Sequence, residues 1–524
     1  MALAATNVFR LTRAGFTLAR HGALIPPEQT AQLPWIARAI LQVCQIGSNK
    51  SETGQSNRIS AALSALGPSY IKLGQFLATR PDVIGAKRAF ELKVLQDRLP
   101  PFPMAEAKSI VKAELGKSVE ELFTSFSEPV AAASVAQVHK ATTPEGKIVA
   151  VKILRPDVDR RFAADIDSFG FAARQMERWS KDGKRLRPVG AVAMLEHSMK
   201  LELDLRMEAS ALSEMRGNTK DDPGFRLPTV DWVRTSKRVL TTEWIDGTSM
   251  SDVAALKAKG FDLLKLADTI IQSFLRHAIR DGFFHADMHQ GNLMVDDKGN
   301  LVALDFGIMG RLGMKERIFL AEILHGFITK DYMRVAEVHF DAGYVPQTQD
   351  VRNFAQAIRA IGEPIMDLPA DQISMARLLT QLFEVTDQFD MQTQPQLLLL
   401  QKTMVVVEGV ARTLNPNLNM WVTAEPVVRG WIERHLGPLG KLEEAGESAK
   451  SLARLALKLP PMLEEASKAS SMLSSMAKDG KLKLDDETTA SIVRQQGGAQ
   501  RWQTMALSAG AIALIVIAAK LVWQ

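Results

Sequence analysis

His285-Ala-Asp287-Met-His289-Gln-Gly-Asn292, followed thirteen residues later by Asp305-Phe306-Gly307, is the stretch on which the reading of this 524-residue chain turns. Phosphoryl transfer needs one carboxylate to hold an acceptor or an attacking water. It also needs an amide oxygen and a second carboxylate to hold Mg²⁺ across the phosphates. Asp287, Asn292 and Asp305 supply those three groups in the pattern H-x-D-x4-N, then D-F-G. Asp287 is therefore the expected catalytic residue, and Asn292 and Asp305 the expected metal ligands. ATP and Mg²⁺ are the implied cofactors. With six residue types specified, accidental spacing is a negligible alternative.

The pattern has the chain order of kinases, although His289 stands where protein kinases commonly carry lysine, as it does in kinases of small molecules. Upstream, Val149-Ala-Val-Lys152 is similar to the strand that presents an ammonium to the α- and β-phosphates. Alone it is weak, since apolar strands often end in lysine; paired with the downstream motif it is not. The expected carboxylate partner of Lys152 is Glu208, on the helix before the fourth strand. Glu202 and Asp204, just before it, read as carboxylates that tune metal or phosphate binding, with a solvated helix face as the plainer alternative. Where a kinase has a glycine-rich loop, this chain has Ala131-Ala132-Ala133-Ser134-Val135-Ala136-Gln137-Val138. Each added Cβ removes conformations that glycine permits, so the loop is expected to be stiffer and to address the phosphates differently. After Asp305 the chain passes almost directly into a helix near Lys315, without the A-P-E segment that supports a peptide substrate.

Outward from the motifs, the expected fold is α+β: a bilobal protein-kinase-like body with a helical N-terminal extension and a C-terminal transmembrane helix. Residues 1–29 form an amphipathic segment, 30–120 a helical extension broken at Gly67-Pro68 and Pro100-Pro101, 121–246 a mostly β lobe, and 247–436 a mostly helical one. Short strands are expected near Val230–Val233 and Arg238–Trp244. Residues 437–501, rich in Ser, Lys and Glu, are a spacer, and 502–523 the anchor. The anchor rests on fifteen uncharged residues, Met505 to Ala519, bracketed by Trp502 and Trp523. Those tryptophans would lie about 31 Å apart on a helix, near the hydrocarbon thickness of a bilayer. A buried helix of a soluble domain is the alternative.

The whole-chain arithmetic agrees with a soluble body carrying membrane-facing ends. Lys and Arg number 64 and Asp and Glu 59, a net +5 that is too small for general coating of nucleic acid, so no nucleic-acid partner is expected. The excess fits local attraction to anionic membrane lipids. Arg10, Arg13 and Arg20 lie in a first segment with no acid before Glu28, and Arg10, Arg13, Thr17 and Arg20 share a helical face. That pattern suits an interfacial helix, a mitochondrial transit peptide or an ordinary solvated helix equally well. Apolar residues are not gathered into many spans, which excludes a polytopic transporter. One cysteine, Cys44, excludes an internal disulfide. A ring hydroxylase is excluded by the lack of a flavin-type G-x-G-x-x-G or a further metal-binding cluster.

Taken together, these residues resemble the UbiB family of atypical, kinase-like proteins needed for ubiquinone biosynthesis. The resemblance covers about residues 60–415 and the anchoring tail. It rests on Lys72-Leu-Gly74-Gln75, similar to the family's KxGQ motif, on Leu95-Gln96 with Pro100-Pro101, and on the alanine-rich loop. Glu202-x-Asp204, the two catalytic motifs and, less specifically, Lys402 and Glu408-Gly409 complete it. The resemblance implies an ATP-binding set of Val130 through Val138 with Lys152, Glu208, Glu243 and Ile245. It also implies regulatory roles for Lys72 and Gln75, on an extension covering the site where a peptide would dock, and for Glu202 and Asp204. It further implies ATP turnover that presents or extracts ubiquinone precursors at a membrane, with other ubiquinone-biosynthesis enzymes as partners. The expected location is the bacterial inner membrane, single-pass, with the body in the cytoplasm; the mitochondrial inner membrane, matrix side, is the alternative. A kinase acting on a protein or small molecule of the pathway, and a nucleotide-switched scaffold without turnover, remain the competing readings.

Overall fold

In the computed structural model, the residues described are 2–23, 55–78, 92, 99–179, 188–366, 384–385, 388–391, 395–435 and 437. They belong to a unit spanning Met1–Ile432, apart from the first few residues of a second, Glu433–Gln524. The expected spacer, apart from Gly437, and the expected anchor lie outside the described residues. Among the described residues no helix is long and apolar enough to cross a membrane.

Helices α1 (Ala2–Arg20), α2 (Gln55–Leu66) and α3 (Pro68–Ala78) begin the chain. Gly67, at φ 106°, makes the corner between α2 and α3, and Pro68 opens α3 where its missing N–H costs nothing. Helix α4 (Met104–Leu115) stops at Gly116 in the left-handed conformation, and the short α5 (Val119–Leu122) starts on a Ser118–Glu121 capping box. Strands β1 (Ser125–Ala132), β2 (Ala136–Thr142) and β3 (Ile148–Leu154) follow. After them come α6 (Val158–Trp179), α7 (Pro188–Glu202), α8 (Leu205–Asn218), β4 (Phe225–Arg226) and β5 (Val239–Glu243). The antiparallel sheet runs β1-β2-β3-β5. One of its faces packs Val149, Val151 and Ile153 against Ala107, Ile110 and Val111 of α4. Apolar residues from α3, α6, α7 and α8 form a separate core that includes Leu154 and Leu240. The strand expected at Val230–Val233 is not one: Val230 makes a single bridge to Thr242, and Trp232–Arg234 turns as a 3₁₀ helix capped by the Asp231 carboxylate.

The second lobe opens with β6 (Gly247–Ser249), α9 (Val253–Ala258) and α10 (Leu263–Leu275). A π-helical turn, Arg276–Asp281, ends at Gly282, whose φ of 64° and close approach to the Leu312 carbonyl leave no room for a side chain. Strands β7 (Phe283–His285), β8 (Leu293–Asp296), β9 (Leu301–Ala303) and β10 (Met309–Arg311) come next. Helices α11 (Met314–Ile328), α12 (Tyr332–Asp341), α13 (Val351–Met366), α14 (Pro395–Leu414) and α15 (Met420–His435) complete it. Strands β4-β9-β8-β6 make one small sheet and β10-β7 another. Short paired strands, most of them within the polar stretch around 283–307 that also reads as strand and loop in the sequence, set both motifs against one apolar core. Phe274, Phe284, Leu293, Val295 and Phe306 are fully or almost fully buried in that core.

Candidate active site

Strand alternation turns Lys152 away from the α4 core and toward the second lobe's motifs. Its ammonium donates to the two Glu208 oxygens at 2.8 and 2.9 Å and to Asp305 Oδ2 at 3.2 Å. Burial opposes the charge on Lys152, but the carboxylates of Asp305 and Glu208 outweigh it and hold the ammonium above the usual lysine range. Burial would likewise raise Asp305, yet the adjacent ammonium and the Gly307 N–H hold its carboxyl well below the ordinary range. Glu208 is placed by the first turn of α8, whose N-cap is Asp204.

The H-x-D-x4-N loop is set by bonds to the backbone. His285 ends β7, fully buried, and burial depresses its basicity, so its Nδ1 is an acceptor for the Asp287 N–H at 3.0 Å. Asn292 closes a 3₁₀ turn and donates Nδ2 to the Asp287 carbonyl at 3.1 Å, which leaves its amide oxygen as the other end of the group. The Leu304 N–H bonds to the Asn292 carbonyl at 3.0 Å, tying that turn to the residue before Asp305. Asp305 Oδ1 accepts from Gly307 N–H at 2.9 Å. His289 Nδ1 caps the turn by accepting from Gly291 N–H at 3.0 Å, and its Nε2 lies 3.6 Å from Asp287 Oδ2. Among the described residues no three His, Cys, Asp or Glu side chains cluster as a self-sufficient metal cage. One amide and one carboxylate oxygen beside an ammonium are instead the donor set that suits Mg²⁺, a hard ion that keeps waters and shares its shell with phosphates.

The model of the ABC1 atypical kinase-like domain matches residues 94–339, and that of the UbiB helical domain matches 358–419. A protein of Marinobacter nauticus named "Probable protein kinase UbiB" is 38% identical over 475 residues, covering 89% of this chain and 85% of the relative. The chain belongs to the UbiB family. A relative of the same name from Azotobacter vinelandii is 38% identical over 444 residues, 83% of each chain. Among solved structures, the complex of Rv3197 with erythromycin from Mycobacterium tuberculosis is similar in fold, with TM-score 0.50 and 24% identity, over 76% of this chain and 99% of that one.

In this UbiB chain, Ala133 to Val135 form the turn between β1 and β2, with Ala133 N–H bonded to the Ala136 carbonyl at 2.8 Å. Val130 and Ala131 are exposed on β1, whereas Ser134, Val135, Ala136 and Gln137 are buried; Val138 sits opposite Lys152. Glu243 ends β5 with its carboxylate bound by Arg226 and Thr229, so what it presents to the link between the lobes is backbone; Ile245 is buried there. Of the four residues with expected regulatory roles, Lys72 and Glu202 meet at 2.8 Å, both largely buried. Gln75 lies half-buried on the same helix as Lys72, and Asp204 turns to Arg206 at 2.7 Å while capping α8.

Three contacts escaped sequence reasoning. Glu214, further along α8, pairs with Arg311 on β10 at 2.6 Å, so the helix holding Glu208 is also fastened just beyond the D-F-G motif. Thr403 on α14 donates to the Ala286 carbonyl at 3.0 Å, inside the H-x-D-x4-N loop, and Gln290 Nε2 reaches Thr413 Oγ1 on the same helix at 3.1 Å. The UbiB helical segment therefore braces the H-x-D-x4-N loop at two points. Nothing in the local sequence pattern says which carbonyl Thr403 meets.

Proposed function

We propose that the chain is a membrane-associated, Mg²⁺-dependent kinase-like ATPase that supports ubiquinone biosynthesis by presenting or extracting lipophilic quinone precursors for other enzymes of that pathway. The observation that carries the catalytic part is the meeting of Glu208 on α8 and Asp305 of the D-F-G motif at the ammonium of Lys152 on β3, with Asn292 bonded to Asp287 in the H-x-D-x4-N loop. Lys152 binds the α- and β-phosphates and Glu208 fixes its position. Asp287, whose own N–H is held by His285 Nδ1, aligns the water or acceptor hydroxyl. Bound at Asn292 and Asp305, Mg²⁺ would neutralise charge developing on the phosphates. Helix α11 begins at Met314, nine residues after Asp305, which leaves little platform for a peptide and supports water or a small acceptor.

The membrane part is supported by α1. Its solvent face carries Val8, Phe9 and Phe16 together with Arg13 and Arg20, while Asn7 and Ala14 are buried. Arg10 and Thr17 are half-buried, so the free surface mixes aromatic and basic groups rather than being purely basic. Such a face suits the headgroup region of an anionic bilayer, and a bacterial inner membrane with the body in the cytoplasm gives access to both ATP and lipophilic precursors.

Purified full-length protein is expected to release phosphate from Mg-ATP, faster with anionic vesicles present, and Asp305→Asn is expected to abolish the release. Full turnover in that variant would overturn the mechanism. Normal quinone levels in cells carrying only Lys152→Ala would favour a scaffold instead.

A further inference from the structure

Arg155 stands three residues beyond Lys152, just past the end of β3, and the mechanism above gives it no task. Its guanidinium donates to the Ala133 carbonyl from Nε at 3.0 Å and from Nη2 at 2.8 Å. The same Nη2 reaches the Pro100 carbonyl at 2.9 Å and lies 3.4 Å from that of Leu99, and the guanidinium sits 5.8 Å from the centre of the Phe102 ring. Through its backbone N–H, Arg155 also bonds to the Val135 carbonyl at 2.8 Å. One residue thus grips the alanine-rich turn on both sides of Ser134. A second bond runs parallel to it: Gln137, fully buried on β2, accepts the Phe102 N–H at 2.9 Å.

We propose that Arg155 is a positioning residue that fastens the alanine-rich loop to the Leu99–Phe102 segment of the N-terminal extension, so that nucleotide held under the loop and the placement of the extension are coupled. Three physical reasons support this. Carbonyls are fixed more firmly by a planar, always-charged fork than by a single donor, and a fork can serve two chain segments at once. The loop has no glycine to supply freedom, so a shift of its backbone on nucleotide contact is passed to the residues that hold it rather than absorbed within it. Coupling of this kind is reciprocal: if the extension's position changes nucleotide affinity, nucleotide must change the extension by the same factor.

The inference rests on the nucleotide-binding reading, and the experiment separates the two. Mg-ATP and Mg-ADP affinity and amide exchange are measured for the full chain and for Arg155→Met and Arg155→Lys, with thermal unfolding as a check on folding. In the unaltered protein, Mg-ATP is expected to slow exchange in the 131–138 loop and also across residues 102–106. In Arg155→Met the affinity should fall about tenfold, an effect of about 1.4 kcal/mol, and the protection of 102–106 should vanish while that of the loop persists at saturating nucleotide. Arg155→Lys, which keeps the charge and the stem, should show the same losses in smaller measure, and it serves if the methionine variant does not fold. Unchanged affinity with 102–106 still protected by nucleotide in both variants would overturn the coupling. Failure of the unaltered protein to bind Mg-ATP would overturn the nucleotide reading itself.

Discussion

Residues that look equivalent in the chain become different once their neighbours are known. Glu202, Asp204 and Glu208 fall within seven positions, yet one pairs with Lys72, one caps a helix, and only Glu208 reaches Lys152. Glu208→Gln is expected to lower the turnover of Mg-ATP by at least about tenfold, or about 1.4 kcal/mol of barrier, measured as phosphate release at saturating nucleotide. It removes one charge of a mostly buried pair and leaves Asp305 as the one carboxylate on the ammonium. Asp222 allows a pH prediction. It is buried with His277 Nε2 at 3.1 Å and Arg280 Nη2 at 3.1 Å, and although burial would raise it, these partners hold its carboxyl well below the ordinary range. A depressed carboxyl stabilises the fold fully above its unfolded value of about 3.9 and loses that contribution as the pH falls toward the folded value. Urea midpoints measured downward from pH 5 should therefore drop steeply, and less steeply in Asp222→Asn; equal slopes would show that the Asp222 interactions do not stabilise the fold.

At the scale of elements, α8 carries much of the site's geometry. It begins at the Asp204 cap, presents Glu208 one turn later and Glu214 beyond it, and so joins the β3 lysine to the strand after D-F-G. Replacing Asp204 by Ala removes an acceptor for the Arg206 N–H and should cost about 1 kcal/mol of stability, read from denaturant unfolding. The Lys72–Glu202 pair joins α3 to the end of α7, and its two side chains are equally shielded. Exchanging them in Lys72→Glu with Glu202→Lys should restore most of the stability that either single change removes, with a coupling energy of about 0.5–3 kcal/mol. Additive losses would mean that the two side chains do not act as a pair. Strands were the less legible elements: β6 and β10, three residues each, pair only because partners arrive from elsewhere in the second lobe.

For the whole molecule, burial sets a second pH effect. Among the described residues His139, His277, His285 and His339 are all pushed below the usual imidazole range by burial. The unfolded chain takes up these protons at a higher pH than the folded one, so stability should rise from pH 5 to pH 7, opposite to what a paired, raised histidine would give. Thermal midpoints across that range check the sign. Placing Asp at Phe9 and Phe16 should weaken binding to anionic vesicles without altering phosphate release in their absence, since both rings face solvent on α1. The sequence by itself determined the catalytic vocabulary: H-x-D-x4-N, D-F-G, the lysine strand and the alanine-rich turn are local patterns, dictated by chemistry over a few residues. It determined the family for the same reason. What only the tertiary structure decided is which groups meet across long separations: Lys152 with Glu208 and Asp305, Thr403 with Ala286, Lys72 with Glu202, and Arg155 with both the loop and Pro100. Those contacts depend on how helices and sheets pack around shared cores, and neither helical periodicity nor strand alternation carries information about the partner an element will find.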